Sequence, residues 1–268
     1  MLGHDLMAVF GDLNPVGVDK EELDITDGGA VEKFILNLKP NFVINAAAYT
    51  DVDGCEAKQD LAMKVNGEAV GYLAGASEKN GAILVHYSTD YVFDGKNPSG
   101  YKEDDEPKNP VNFYGESKLL GEKLLKENCQ RYYLIRTSWL FGRNGKNFVD
   151  TILKLGKEKE ELKVVNDQHG KPTYTVDLAK RTRELIFGKY PFGVYHITNE
   201  GITSWYDYAL KIFEVFESFH LGQKFAKILP CDSAEFPRPA KRPAWSILIN
   251  TKLPSGRPWS ETLKEYLK

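Results

Sequence analysis

Continuous apolar runs, rather than alternating ones, mark the strands of this chain. FVINAAA (42–48), ILVHYS (83–88) and YYLIRT, continuing to SWLFG (132–142), each keep their apolar character over several residues. Strands that read this way are buried on both faces, as in a parallel sheet covered by helices on either side. The stretches between them have helical character. One helix is predicted from near Asp27 to Leu38, closed by Pro40 and Asn41, and a second from Glu56 to Lys79, with Gly81 as its stop. A third is entered after Pro110 and ends at Asn128. Val16–Asp19 reads as a shorter strand ending in an acid. Strand and helix in alternation predict an α/β protein with a doubly wound parallel sheet.

The texture changes near residue 150. Helices are predicted at Asn147–Glu158, Val176–Phe187 and Ser204–Phe219, with short strands at KVVND and VYHITN and a proline-rich stretch over 230–258. The expected division is a dinucleotide-binding domain over 1–150 and a smaller α+β lobe over 151–268. Part of 164–197 is expected to pack back on the first. Ligands of wound α/β folds bind outside the carboxyl ends of the strands, where a second lobe would form the other wall of a cleft.

Composition narrows the classes of function. The 268 residues carry a net charge of −3, which gives no basic surface for nucleic acid or anionic lipid. No apolar run reaches the ~18 residues that cross a bilayer, and no secretory leader is evident. Cys55, Cys129 and Cys231 are scattered and odd in number, so neither a disulfide framework nor a metal knuckle follows, and a cytoplasmic home is expected. The five histidines have no ligand spacing, and no metal site is expected.

Three segments fall at or just after the carboxyl ends of predicted strands: STDYVFDG (88–95), YGESK (114–118) and RTSWLFG (136–142). Tyr114 and Lys118 are four apart on a predicted helix and share a face. A lysine ammonium beside a phenol lowers its pKa from about 10, tuning it for proton exchange near neutrality. The Thr89 hydroxyl, on a neighbouring strand end, can hydrogen-bond the same substrate oxygen. Such a set protonates a carbonyl oxygen as hydride reaches its carbon. In the stripe Tyr114, Lys118, Gly121, Leu125, the glycine is expected where the helix approaches the sheet closely.

These segments, with LDITD (23–27), KPNFVINAAAYTDVDGCE (39–56), NPVNFYGESKLLGE (109–122), VVNDQHGKPTYTVDLA (164–179), GVYHITNEG (193–201) and RPAKRPAWS (238–246), resemble the dTDP-4-dehydrorhamnose reductases, a branch of the extended short-chain dehydrogenase/reductases. The resemblance covers nearly the whole chain. It implies a Rossmann-like sheet and NAD(P)H-dependent reduction of the 4-keto group of a dTDP-4-dehydro-6-deoxy sugar, in the making of a cell-surface polysaccharide precursor. Asp90-Tyr91-Val92-Phe93 after the threonine favours reductase over the sister epimerases and dehydratases, which remain the nearest enzymatic alternative. The resemblance implies Tyr114 as proton donor with Lys118 as its partner, also on the nicotinamide ribose, and Thr89 and Asp90 at the reacting end of the sugar. Trp139, Gln168, Pro172 and Thr173 are implied around the nucleotide sugar, and Arg242 on its diphosphate, a task suited to guanidinium. Gly3, Asp24, Ile25, Ala47, Ala48, Tyr49 and Tyr87 are implied along the cofactor. A homodimer is left open.

Several of these residues have plainer readings. Asp24 and Asp27 are equally suited to capping, Trp139 to the core, Arg242 to a surface loop, and Ala46–Ala48 to packing under a helix. His86 reads as a satisfied core histidine. Asp19, at the expected end of its strand, suits a ribose hydroxyl and favours NAD, whereas Lys20 tolerates a 2′-phosphate; the choice between NADH and NADPH stays open. The opening MLGHDLM matches only the end of a GxxGxxG loop, with Gly3 as its last glycine. The expectation is that the first strand and front of that loop are lacking. That raises a further alternative, a non-catalytic regulatory or binding homologue.

Overall fold

Four parallel strands carry the molecule. In the computed structural model, which describes residues 1–222 and 225–268, the chain begins with α1 (Leu2–Val9) and α2 (Gly28–Leu38), followed by β1 (Phe42–Asn45). Next come α3 (Val52–Ala57), α4 (Gln59–Ala62), a π-helical stretch at Met63–Glu68, α5 (Ala69–Asn80), β2 (Ile83–Thr89), α6 (Phe113–Asn128) and β3 (Tyr132–Thr137). After β4 (Leu140–Phe141) follow α7 (Phe148–Glu158), β5 (Glu161–Val165), β6 (His169–Gly170), β7 (Thr173–Tyr174), α8 (Thr175–Phe187) and β8 (Gly193–His196). The chain closes with β9 (Thr203–Ser204), α9 (Trp205–Phe219), β10 (Lys227–Cys231), β11 (Trp245–Ser246) and α10 (Trp259–Leu267).

The main sheet has the order β1-β2-β3-β8, parallel throughout. Its two faces are covered by different helices, as the apolar runs predicted. Leu84 and Leu134 pack with Val31, Ile35, Val70, Leu73 and Leu125 from α2, α5 and α6. Val85, Tyr87, Tyr133, Ile135 and Tyr195 pack with Leu2 and Leu6 of α1 and Leu178 and Leu185 of α8. The period-two alternation of the strands sorts residues between these layers. A third core joins α7, α9, α10, β5 and β10 around Phe141, Val149, Ile152, Tyr208, Ile212 and Leu263.

Local chemistry accounts for the helix ends. Asp27 accepts the Ala30 N–H and so caps α2, as its capping reading expects. Asn112 caps α6 by accepting from Gly115 N–H, and Gly81 closes α5 in the left-handed region at φ 70°.

Four predicted elements differ in the structure. Val16–Asp19 forms no strand: no strand pairs with it, and Val16 and Val18 are exposed. Strand β1 stops at Asn45 because the Asn45 side chain takes the Ala47 N–H and turns the chain out of the sheet. The helix expected over Glu56–Lys79 is broken at Lys58, whose φ of −124° and ψ of 55° are not helical, and contains the π-helical stretch. The third long strand divides at Trp139, whose φ of 47° is left-handed, and β4 then pairs with β7 instead of continuing the main sheet.

Gly121 does allow a close approach, but to the π-helical stretch rather than to the sheet. A Cβ at this position would fall inside the van der Waals shell of the Asn66 carbonyl oxygen. Gly121→Ala should therefore destabilise the fold by about 1–3 kcal/mol through overpacking, despite the better helix propensity of alanine. Urea unfolding measures this, and unchanged stability would show that α6 does not need the contact.

Candidate active site

The carboxyl end of the sheet carries a buried polar belt on the α6 side. His86 and Ser88 come from β2, Arg136 from β3 and His196 from β8, all buried. Helix α6 lies across them and contributes Lys118 and Glu122, one turn apart. Glu122 accepts from Arg136 Nε at 2.9 Å and Nη2 at 2.8 Å, and from Ser88 Oγ at 2.6 Å. Burial pushes the Glu122 carboxyl upward, but the Arg136 and Ser88 bonds outweigh it and hold the group below its ordinary range. Arg136 also lies over the Phe93 ring, 5.0 Å from its centroid, and 3.3 Å from His196 Nε2. Burial and the Arg136 charge depress His196 to about 3, so it is neutral and its Nδ1–H donates to the Ile249 carbonyl.

Lys118 is 2% exposed. Its Nζ donates to the Tyr87 carbonyl at 2.6 Å and lies 3.3 Å from His86 Nε2. Burial lowers the amine to about 8, against the opposing charge of Glu122. Tyr114, one turn before it and half-buried, sits edge-on to Tyr91 with ring centroids 5.8 Å apart. Burial and the Asp90 charge raise the Tyr114 phenol, while a Thr89 hydrogen bond opposes them. The expected lowering by Lys118 is absent, because the amine is turned to the Tyr87 carbonyl and His86. Thr89 Oγ1 donates to Asp90 Oδ1 at 2.8 Å, and burial lifts the Asp90 carboxyl to about 6 against hydrogen bonds from Ser246 and Thr89.

The other residues named from the sequence fall in several environments. Ala46 and Ala47 are exposed and Ala48 is half-buried, so no helix packs over them and they form a ledge beyond β1. The Tyr49 main chain is gripped at both N–H and C=O by the Asn66 amide, at 2.8 and 3.0 Å. Asn66 lies on the π-helical stretch and also donates to Ser117 Oγ at 3.1 Å. The Tyr87 ring is on the opposite face of the sheet, with its hydroxyl 2.7 Å from Thr182, and only its carbonyl reaches the Lys118 side. Asp24 is exposed and accepts from the Thr26 N–H and hydroxyl, and Ile25 beside it packs on the α2 core. Asp19 is exposed in a turn, accepting from Glu21 N–H, not at a strand end. Gly3 lies exposed in α1 with open space where a Cβ would stand.

On the second wall, Trp139 stacks on Trp205 with centroids 3.5 Å apart and presses against Gly170. Thr173 and Pro172 are buried beside it, the Thr173 N–H bonded to the Trp139 carbonyl. Gln168 donates to Ser233 Oγ at 2.8 Å. Arg242 is paired with Asp53 at 3.0 Å and donates to the Ala240 carbonyl. Sequence reasoning did not find Asn45, Asn66, Glu122 or Arg136. An arginine inside the apolar run YYLIRT was the available signal, since a buried guanidinium needs a buried partner. No cluster of three metal-ligating side chains occurs among the described residues.

The raised Asp90 carboxyl binds its proton more tightly in the folded than in the unfolded chain. Its ionisation therefore costs stability, a cost absent below about pH 3.8 and fully present above about pH 6. Asp90→Asn should remove it. Relative to the parent, the variant should gain about 2 kcal/mol between pH 4.5 and pH 7.5. Urea unfolding at the two pH values checks this, and a parallel pH response of both proteins would contradict it.

A family model described as the RmlD substrate binding domain matches residues 1–268. A Bacillus subtilis spore coat polysaccharide biosynthesis protein is 42% identical over 257 residues, spanning 94% of this chain and 88% of that protein. A dTDP-4-dehydrorhamnose reductase of Burkholderia thailandensis is also 42% identical, over 92% of this chain and 85% of its own. The crystal structure of dTDP-4-dehydrorhamnose reductase from Bacillus anthracis in complex with NADP superposes with a TM-score of 0.92 at 39% identity, covering 99% of this chain and 94% of that one.

Proposed function

This chain belongs to the dTDP-4-dehydrorhamnose reductase family, and from that premise we propose that it reduces the 4-keto group of dTDP-4-dehydrorhamnose, giving dTDP-rhamnose, with NADPH or NADH as reductant. The observation that carries the reading is the convergence of Thr89, Asp90, Tyr114 and Lys118 at the carboxyl end of β2. A nicotinamide dinucleotide fits the residues present. Ala46 and Ala47 leave an open ledge past β1, the Tyr49 main chain beside it is held still by Asn66, and the Lys118 amine is tethered below. Ala47, Ala48, Tyr49 and Lys118 would hold the cofactor near its nicotinamide end, with Asp24, Ile25 and Gly3 further along it. When bound, the cofactor supplies the hydride that reaches the sugar C4.

The chain's own residues supply the proton and the orientation. Burial and the Asp90 charge keep the Tyr114 phenol protonated at neutral pH, the state a donor requires. Thr89 shares the keto oxygen with Tyr114 and opposes the upward shift of the phenol. Developing negative charge on that oxygen draws the proton from Tyr114. Trp139, Gln168, Pro172 and Thr173 are assigned to the nucleotide sugar. Arg242 is assigned to its diphosphate, exchanging the Asp53 carboxylate for phosphate oxygens.

The proposed division of labour gives 1–150 to the cofactor and 151–268 mainly to the sugar. The packing of α8 and β8 with the main sheet supports counting part of 164–197 with the first. No helix among the described residues is long and apolar enough to cross a membrane. The three cysteines are buried and free, in keeping with action in the cytoplasm.

Tyr114→Phe should lower turnover of dTDP-4-dehydrorhamnose at least about 100-fold. Nucleotide-sugar binding, followed by calorimetry, should be retained. Turnover equal to that of the parent would overturn the assignment.

A further inference from the structure

The hydrogen bonds beneath the site admit one consistent placement of protons. The Ala47 main-chain N–H donates to Asn45 Oδ1 at 3.1 Å. This orients the Asn45 amide so that its NH2 faces His86, with Nδ2 at 3.0 Å from Nδ1. An amide NH2 only donates, so Nδ1 is the bare, accepting nitrogen. Complete burial keeps the imidazole neutral, so its single proton sits on Nε2. That nitrogen lies 3.3 Å from Lys118 Nζ, which itself donates to the Tyr87 carbonyl. An ammonium there would set N–H against N–H, whereas a neutral amine has a lone pair to accept the Nε2 proton.

We propose that Asn45 and His86 are positioning residues that hold Lys118 as the neutral amine in this arrangement and tie its protonation to the tautomer of His86. When the amine gains one proton, the imidazole stays neutral and its own proton moves from Nε2 to Nδ1. Nε2 then accepts from the ammonium, and the Asn45 amide turns its oxygen to the new Nδ1–H, giving up Ala47. The charge state of the lysine is thus linked to the ledge beyond β1, two residues past Asn45.

Glu122, on the same helix as Lys118, favours the charged form of the amine, yet it is engaged by Arg136 of β3 and Ser88 of β2. His86 comes from β2, and Tyr114 lies one turn before the amine, with Asp90, Tyr91 and Cys55 around its phenol. Burial outweighs Glu122 and brings the amine to about 8, so both states are accessible near neutrality.

The inference rests on Lys118 as partner of the proton donor, but its test needs no turnover. The full chain, labelled with 15N-histidine, is followed by NMR between about pH 6.5 and about pH 10, and His86→Gln identifies the His86 signals. Above about pH 8 the ring should carry its proton on Nε2, with Nδ1 bare. On acidification it should convert to the Nδ1–H form without becoming imidazolium. Asn45→Asp should show Nδ1–H across the whole range, because a carboxylate accepts from Ala47 N–H and His86 Nδ1–H together. An Nδ1–H ring in the parent at high pH, an unchanged tautomer through the titration, or an imidazolium on acidification would each overturn the proposal. The expected ring behaviour in a protein that fails to reduce the sugar would uphold the proton placement and refute the functional reading alone.

Discussion

The ion pair between Glu122 and Arg136 is the constraint on which the site depends. Both side chains are essentially inaccessible to water, and removing either would leave an uncompensated buried charge, a loss of about 3–5 kcal/mol. Through this pair and Ser88, helix α6 is fastened across β2 and β3, and through His196 the contact extends to β8. Lys118 lies one turn before Glu122 and Tyr114 one turn before that, so the register of the ion pair sets the position of both. The π-helical stretch fixes the other side of α6: the Asn66 carbonyl abuts Gly121, and its amide holds Ser117 and the Tyr49 main chain.

Around this fixed pair, burial moves the remaining groups toward their neutral forms. Asp90 and Tyr114 are raised, and Lys118, His86 and His196 are lowered. A neutral floor suits a reaction in which one proton and one hydride arrive at a carbonyl, because no fixed charge nearby competes for the negative charge that develops on the reacting oxygen. Donors held in place beforehand then stabilise that charge without reorganising. The raised phenol of Tyr114 stays protonated at neutral pH, beside the Thr89 hydroxyl.

Much of the fold was legible in the chain. The unbroken apolar runs predicted strands buried on both faces, and β2 and β3 sit between two helical layers. Asp27, Asn112 and Gly81 mark helix ends by chemistry confined to a few residues. Val16–Asp19 was misread because a strand requires a neighbour, which no local pattern reveals. The same holds for the breaks at Lys58 and Trp139, where backbone angles rather than composition end the element.

The sequence by itself determined which residues could do chemistry: a tyrosine and lysine one turn apart on a helix, and a threonine at the end of an apolar strand. Helical period and strand length fix these placements, and both are local properties. Only the tertiary structure decided the state of those residues. It turned Lys118 toward His86 and the Tyr87 carbonyl, sent the Tyr87 ring to the other face, and occupied Arg242 with Asp53. The physical reason is that pKa and proton placement depend on burial and on partners far along the chain. Asn45, His86 and Lys118 meet through sheet register and helix packing, which spacing along the chain does not encode.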